Sequence, residues 1–428
     1  MASPTQLTLS TLTEAVAGGA VAIRAVTRLE PAGGPGDKVF PPTYMKDDRA
    51  ETKYAFEKRQ VDGREVQTVL LDSVASQANR IEEALLEGWK RGELQFPVIS
   101  VDFTGIEDLA DLESITSLQA PHRVADALLR DSVDASGTPF RQTEVGRACT
   151  DARPNHATGM YRYCPTALIF GVWDSTGPRG GQGAKFQRAL VSEIVGFDAV
   201  PGVKTASRID PTGIERKAGT IYESGSEPGG WTSLESEAAQ ERGKPKLFSR
   251  KGAGEKGTPA AINHGNIPPT IDTAAGGVTI AGAKHTVVLS LAALRRLRFQ
   301  TRSDGSRIPP EERDEAETAA RTALAALALA GIVYQRRNGY DLRSRSLLVA
   351  ADPLVFELIG RDGGEPQRFV LDDPAALLRE AAAAAAAVGL AWETEPVTLT
   401  PTPKLAHLIR ESRRLQMAGE AGEDEGAA

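Results

Sequence analysis

The chain is poor in the residues from which compact catalytic and metal sites are most often built. Its 428 residues include 2 cysteines, Cys149 and Cys164, and 5 histidines. Two thiols cannot make a disulfide framework, and no C-x-x-C or H-x3-H spacing suggests a structural zinc site. G-x-S-x-G and H-E-x-x-H are missing, and no D-x-D cluster gathers the many carboxylates. Aromatics are 5% of the chain, which leaves little surface for stacking bases. The first residues lack a basic stretch followed by an apolar run, so no secretory signal is expected. The longest apolar run, 323–333, is too short to span a bilayer. These absences together describe a soluble, reduced, cytoplasmic protein without a cofactor.

What is present is enough for a sizeable core: 41% of residues are hydrophobic and 25% charged. Length allows about three domains, or one large domain with an appendage. The net charge of −7 argues against a partner that is nucleic acid, but charge distribution matters more than its sum. Glu420, Glu423, Asp424 and Glu425 contribute four negatives in a tail, 418–428, expected to be disordered.

Along the chain, 19–29 carries strand signals, 66–71 reads as a buried strand, and 73–89 as a helix. Val74, Ala78, Ile81, Leu85 and Trp89 form the helix stripe, and Asp72 or Ser73 is its N-cap. Segment 98–103 is a further strand and 122–130 a short helix. Segment 166–173 reads as a strand, 177–183 as a glycine loop, and 184–195 as a helix burying Phe186, Leu190 and Ile194. A hairpin is expected over 203–222 around the turn at residues 210–213, followed by a polar, flexible insertion at 223–262. Strands at 278–280 and 286–289 precede a helix at 290–298. A helix at 311–330 should end at Gly331, and Asn338-Gly339 suggests a hairpin between 332–335 and 340–349. Helices at 374–388 and 405–417 complete the chain, with a soft domain boundary near residue 300.

Three groups of residues could carry binding chemistry. Ser73, Ser76, Gln77 and Arg80 fall at i, i+3, i+4 and i+7 of one helix, with Asn79 nearby. Hydroxyl, amide and guanidinium donors bordering a buried face suit phosphate oxygens, although a capped, solvated helix face needs the same residues. The glycine loop, expected between a strand and a helix, is flanked by Arg179, Lys185 and Arg188. It fits neither a Walker A nor a dinucleotide pattern, which leaves a polymer phosphate or a plain flexible loop. The expected hairpin carries Lys204, Arg208, Arg216 and Lys217, suited to lying across a nucleic-acid backbone, or to a surface loop of mixed charge. His122 and Arg123, at a helix start, are a further phosphate candidate. His156 and Cys164 have no partner that the sequence identifies.

The ordered set VLLDSVASQANRIEEAL, TALIFGVWDS, GPRGGQGAKFQRALVSEIVGFDA and GNIPPTIDTAAGGVTIAGAKHTVVLSLAALRRLRF resembles the backbone subunit of type I-U, also called I-G, CRISPR Cascade complexes, in the RAMP superfamily. The similarity spans roughly 60–300, with weaker motifs over 301–417. It implies an α+β fold: an RRM-like (ferredoxin-like) palm with a thumb hairpin and large insertions over 1–300, and a mainly helical C-terminal part over 301–417. Such subunits stack along one CRISPR RNA, grip its backbone, and display the spacer for pairing with target DNA. The implied partners are the CRISPR RNA, target DNA through the guide, copies of the same chain and other Cascade subunits, with no membrane. On this resemblance Ser73, Ser76, Gln77 and Arg80 hold guide phosphates, and Arg179, Lys185 and Arg188 belong to the family's glycine-rich loop. The 203–222 hairpin takes the thumb's place, and no catalytic or metal-binding residue is implied. Protein then reads backbone and shape, while base pairing reads sequence.

Two other classes stand beside this reading. A metal-dependent RAMP ribonuclease would use an acidic loop residue such as Asp131 or Asp134. A protein-interaction module without RNA affinity would use the alanine-rich C-terminal helices as its docking surface.

Overall fold

The computed structural model describes residues 3–45, 51–177, 183–215, 217–227, 229–249 and 256–420, with side chains to 416 in the last helix. The loop residues 178–182, with Arg179, lie outside this set, as do Arg216, part of the charged stretch 46–53, and the acidic tail from 421. The chain forms two compact units. One comprises Met1–Pro42, Ala55–Val200 and Thr279–Thr402; the other comprises Thr43–Tyr54, Pro201–Val278 and Pro403–Ala428.

The first unit is built on a ten-stranded sheet. Its strands are β1 (Thr5–Gln6), β2 (Ala20–Pro31), β3 (Phe56–Val61), β4 (Arg64–Asp72), β5 (Leu190–Phe197), β6 (Gly282–Ser290), β7 (Tyr340–Asp341), β8 (Leu347–Ala350), β9 (Phe356–Gly360) and β10 (Gln367–Val370). They run in the order β1-β10-β9-β2-β6-β5-β4-β3, with β8 also on β2 and β7 on β8. Every pairing is antiparallel except β1 with β10. Central strand β6 alternates strictly: Ala283, His285, Val287 and Leu289 point inward, the residues between them outward. That period of two is what a sheet with one covered face requires.

Helices α1 (Val74–Lys90) and α2 (Arg313–Asn338) pack closely against one another. A Cβ on Gly331 would stand 2.6 Å from Cγ2 of Ile81, and one on Gly88 would stand 2.7 Å from Cε1 of Tyr334. Each helix therefore gives up a side chain where the other presents one. This explains why α2 does not end at Gly331 as its sequence suggests. The glycine is a point of close approach inside the helix, and the C-cap is Gly339. Residues 332–335 are helical, so the expected hairpin around Asn338-Gly339 does not form; β7 pairs with β8 instead. By length and composition α2 is apolar enough to cross a membrane, but nearly all of that stretch is buried inside the protein.

Together with helix α3 (Pro374–Ala387) these elements make a mixed α+β architecture compatible with an RRM-like palm. Residue 300 is not where the two compact units divide. Strands β8 to β10 share the sheet with β2, and Val397–Pro401 pairs with Ile99–Asp102 in a smaller four-stranded sheet.

Two further expectations are overturned. Segment 166–173 is mostly a buried helix, Pro165–Phe170, with only Val172–Trp173 extended. Proline at the first helical position pre-sets its φ and lacks the N–H that would be orphaned there. Segment 184–195 is not a helix: Lys185–Phe186 pairs with Val172–Trp173, and β5 lies between β4 and β6. Phe186, Leu190 and Ile194 are four residues apart, a spacing that returns to the same face in a strand as well as in a helix.

In the second unit, Lys204–Arg208 pairs with Ile267–Asp272, not with the residues just after the turn. The turn at 210–213 exists, but its Asp210 is buried and accepts hydrogen bonds from the backbone N–H groups of Thr212 (2.9 Å) and Gly265 (2.8 Å). The expected hairpin over 203–222 is thus replaced by a long-range strand pair. The described parts of 223–262 are not featureless. Tyr222–Glu223 pairs with Trp231–Thr232, Gln240–Glu241 with Lys244–Pro245, and Ile221, Phe248 and Ala261 form a small core.

Candidate nucleic-acid interface

The polar face at the start of α1 converges on one carboxylate. Ser73 is the N-cap, its Oγ accepting from Ser76 N at 3.3 Å. Asp72 is fully buried. Its Oδ1 accepts from Ser76 Oγ at 2.8 Å and from an Arg343 guanidinium nitrogen at 3.1 Å. Its Oδ2 accepts from Gln77 Nε2 at 2.6 Å and Arg80 Nε at 3.0 Å. Arg80 also donates to the carbonyls of Asp341 and Leu342. The donors expected to face phosphate are thus engaged by an anion of the protein itself. Ser73, Ser76 and Arg80 are half-buried, Gln77 is wholly buried, and Asn79 alone is exposed.

From Gln77 the network continues inward. Ser192 Oγ donates to Gln77 Oε1 at 3.1 Å, and Gln335 Nε2 donates to the same oxygen at 2.9 Å. With its proton committed there, Ser192 accepts from His285 Nε2 at 2.7 Å. That fixes the tautomer, so Nδ1 accepts from the Tyr340 hydroxyl at 3.1 Å. Burial drives the His285 pKa down to about 3 and also raises that of Tyr340. The imidazole is therefore neutral, as this chain of donors needs. Sequence reading missed Asp72 as a hub; the available signal was an acid followed by Ser, Gln and Arg at +4, +5 and +8.

Arg123 is also internal. It donates to both carboxylate oxygens of Glu82 at 2.6 Å and to the carbonyl of Gly171 at 3.1 Å. Its own backbone sits at φ 52°, in the left-handed region. Burial pushes the Glu82 carboxyl up to about 7 despite the guanidinium beside it. His122 is exposed and lies outside that pair.

At the neck of the glycine loop, Asp174 is buried and accepts from Arg141 at 2.7 Å and from the Thr176 backbone N–H at 3.2 Å. A Cβ on Gly177 would stand 2.6 Å from the Gly183 Cα, so the two ends of the loop meet closely. Lys185 and Arg188 are exposed beyond it and make no ion pair among the described residues. Residues 175–192 contain no Asp or Glu.

Residues 23–201 match the family of CRISPR-associated protein GSU0053. This match supports a CRISPR-associated protein. No curated protein matches the chain. The matched segment runs from within β2 past the end of β5, and it contains every candidate from Ser73 to Arg188. Lys204 and Arg208 lie just beyond it. Lys204 pairs with Asp272 at 3.3 Å, and Arg208 donates to the carbonyl of Gly265 at 2.8 Å. The candidates therefore separate into a buried set around Asp72 and Glu82, an exposed cationic pair at 185 and 188, and a partly engaged pair on the 204–208 strand.

The acidic candidates are held locally. Asp131 pairs with Arg130 at 2.7 Å, and Asp134 Oδ1 accepts from the Ser136 hydroxyl and from the N–H groups of Ser136 and Thr138. Among the described residues no group of three or more His, Cys, Asp and Glu side chains is placed to hold a metal ion. Burial pushes both thiols, Cys149 and Cys164, upward, away from thiolate chemistry.

Proposed function

We propose that this protein is a non-catalytic CRISPR RNA-binding backbone subunit of a type I Cascade effector complex. In this reading it is cytoplasmic and oligomerises along the guide, which it displays for pairing with target DNA in antiviral defence. Its other partners are copies of itself and the remaining Cascade subunits. The observation that carries the reading is the CRISPR-associated family match over residues 23–201, which takes in most of β2, all of β3, β4 and β5, and α1. Two features of the surface support it. Lys185 and Arg188 stand in a stretch without carboxylates, and the Lys204–Arg208 strand with its partner Ile267–Asp272 offers an extended two-stranded arm. The buried set around Asp72 shapes the palm in this account, and the exposed cations meet the phosphates.

The test is to co-express the protein with a CRISPR array, purify it and extract the bound nucleic acid. RNA of one discrete length in a large assembly is the expected result. RNA-free protein from the same co-expression would overturn the reading. Incubation of the bound RNA with Mg2+ separates a scaffold, which leaves it intact, from a ribonuclease.

A further inference from the structure

Trp173 is the most exposed of the described aromatics, ahead of Trp231 (48%) and Tyr44 (46%). Its neighbours Val172 and Asp174 are buried, while its own side chain is 60% exposed. A surface Trp leaves a large apolar area in water and so keeps the stabilisation of its burial available to a ligand that covers it. The backbone that carries the ring is held on both sides: Val172–Trp173 pairs with Lys185–Phe186, Phe186 is buried, and Asp174 is clamped by Arg141. The cross-strand neighbour Lys185 sets its ammonium 5.1 Å from the indole centroid. Lys185 also borders a cavity of about 340 Å³ lined by Leu168, Phe186, Ala189, Ala293 and Arg296. An exposed aromatic face with a lysine beside it, and the exposed Arg188 three residues further along the chain, is the kind of arrangement by which single-stranded nucleic acid is held without regard to sequence. Bases stack on the ring and phosphates meet the cations.

We propose that the indole of Trp173 is a stacking surface for one base of single-stranded RNA, with Lys185 and Arg188 taking the flanking phosphates. This rests on the RNA-binding reading above and adds to it a base contact that neither the family match nor the sequence supplies. It also revises the expectation that a chain with 5% aromatics makes little use of stacking, because one well-placed ring is sufficient.

The experiment measures binding of the full chain to labelled single-stranded polyuridine at several salt concentrations. Trp173→Ala should weaken binding by about 5- to 150-fold at every salt concentration, leaving the salt slope unchanged. Trp173→Phe should retain most of the affinity. Lys185→Ala with Arg188→Ala should instead flatten the slope of log K against log[salt] by about 0.7 for each phosphate that is no longer neutralised. Ultraviolet crosslinking followed by peptide mapping should place a uridine on Trp173. If wild-type protein binds RNA and Trp173→Ala binds equally well, the stacking proposal falls and the RNA-binding reading stands. A change of slope in Trp173→Ala would likewise overturn stacking. If wild-type protein retains neither polyuridine nor array-derived RNA, both fall.

Discussion

Gln77 and His285, on a helix and a strand far apart in sequence, meet on a single hydroxyl. Ser192 Oγ lies 3.1 Å from the Gln77 side-chain oxygen and 2.7 Å from His285 Nε2. The donor order runs from Tyr340 to His285, Ser192, Gln77 and finally Asp72, so every buried polar group in the line has a partner. Such a network specifies one arrangement of helix, strands and α2, and it fails as a unit when one member is removed.

Gln77→Ala should therefore lower stability by about 1–3 kcal/mol, by leaving Asp72, Ser192 and Gln335 short of partners in the core. Denaturant unfolding measures it. Sequence alone predicts that Arg80→Ala with Gln77→Ala weakens RNA retention in an otherwise intact protein. With Gln77 wholly buried, the structure expects a destabilised one, so RNA loss must be read beside the unfolding midpoint. An unchanged midpoint would refute the network's structural role.

His285 ties stability to acid. Its folded pKa of about 3 lies below the ordinary histidine value of 6.5, so below that value the unfolded chain binds a proton that the native state refuses. Stability should fall as pH drops from 6.5 towards 3, at up to about 1.4 kcal/mol per pH unit from this group. His285→Asn should be less stable at pH 7 yet flatter over that window. Denaturant midpoints at pH 7, 6 and 5 for both proteins decide the point, and parallel curves would count against it.

Arg123→Met leaves Glu82 buried without its counter-ion. The loss at pH 8 should be about 3–5 kcal/mol. Burial already raises this carboxyl in the native protein, and removing the guanidinium raises it further. The variant's native state then takes up a proton that the unfolded chain does not hold above its ordinary range. Its deficit should shrink as pH falls towards 7 and then stay constant, because below about 7 the wild-type carboxyl takes up its proton as well. A deficit independent of pH would show that packing, not charge, dominates.

Gly331→Ala improves helix propensity by about 1 kcal/mol but places a methyl 2.6 Å from Ile81 Cγ2. Overpacking of this kind costs about 1–3 kcal/mol, so a net loss is expected. In an Ile81→Ala background, which lacks Cγ2, the same substitution should cost less. A thermal midpoint that rises in the single variant would mean that α1 and α2 can move apart freely.

The sequence made α1 legible through the spacing of its apolar stripe, β2 and β4 through strand signals and a short apolar run, and α3 through its alanine-rich composition behind a proline. It misplaced the 165–197 region for a physical reason: short buried runs look alike as helix and strand, and a four-residue spacing serves both. The partner of Lys204–Arg208 was out of reach because it lies about 60 residues away, and turn chemistry speaks only for neighbours. Within the site, the sequence left the cap between Asp72 and Ser73, and Ser73 takes it. Gln77 and Arg80 were recognised as polar but assigned an external anion, since nothing in one dimension shows that Asp72 is already there to receive them. Trp173 was quoted only as part of a strand, and its exposure is a tertiary property.

The sheet order sets a timetable for synthesis. Both neighbours of β2, β6 on one side and β9 on the other, are encoded far downstream, with about 250 residues between Pro31 and Gly282. At ordinary elongation rates that interval is about 10–50 s. Through it, the alternating apolar residues of a twelve-residue strand wait on the ribosome without either lateral partner. Production of this protein should accordingly lean on holding chaperones, and slower translation should lower its soluble yield.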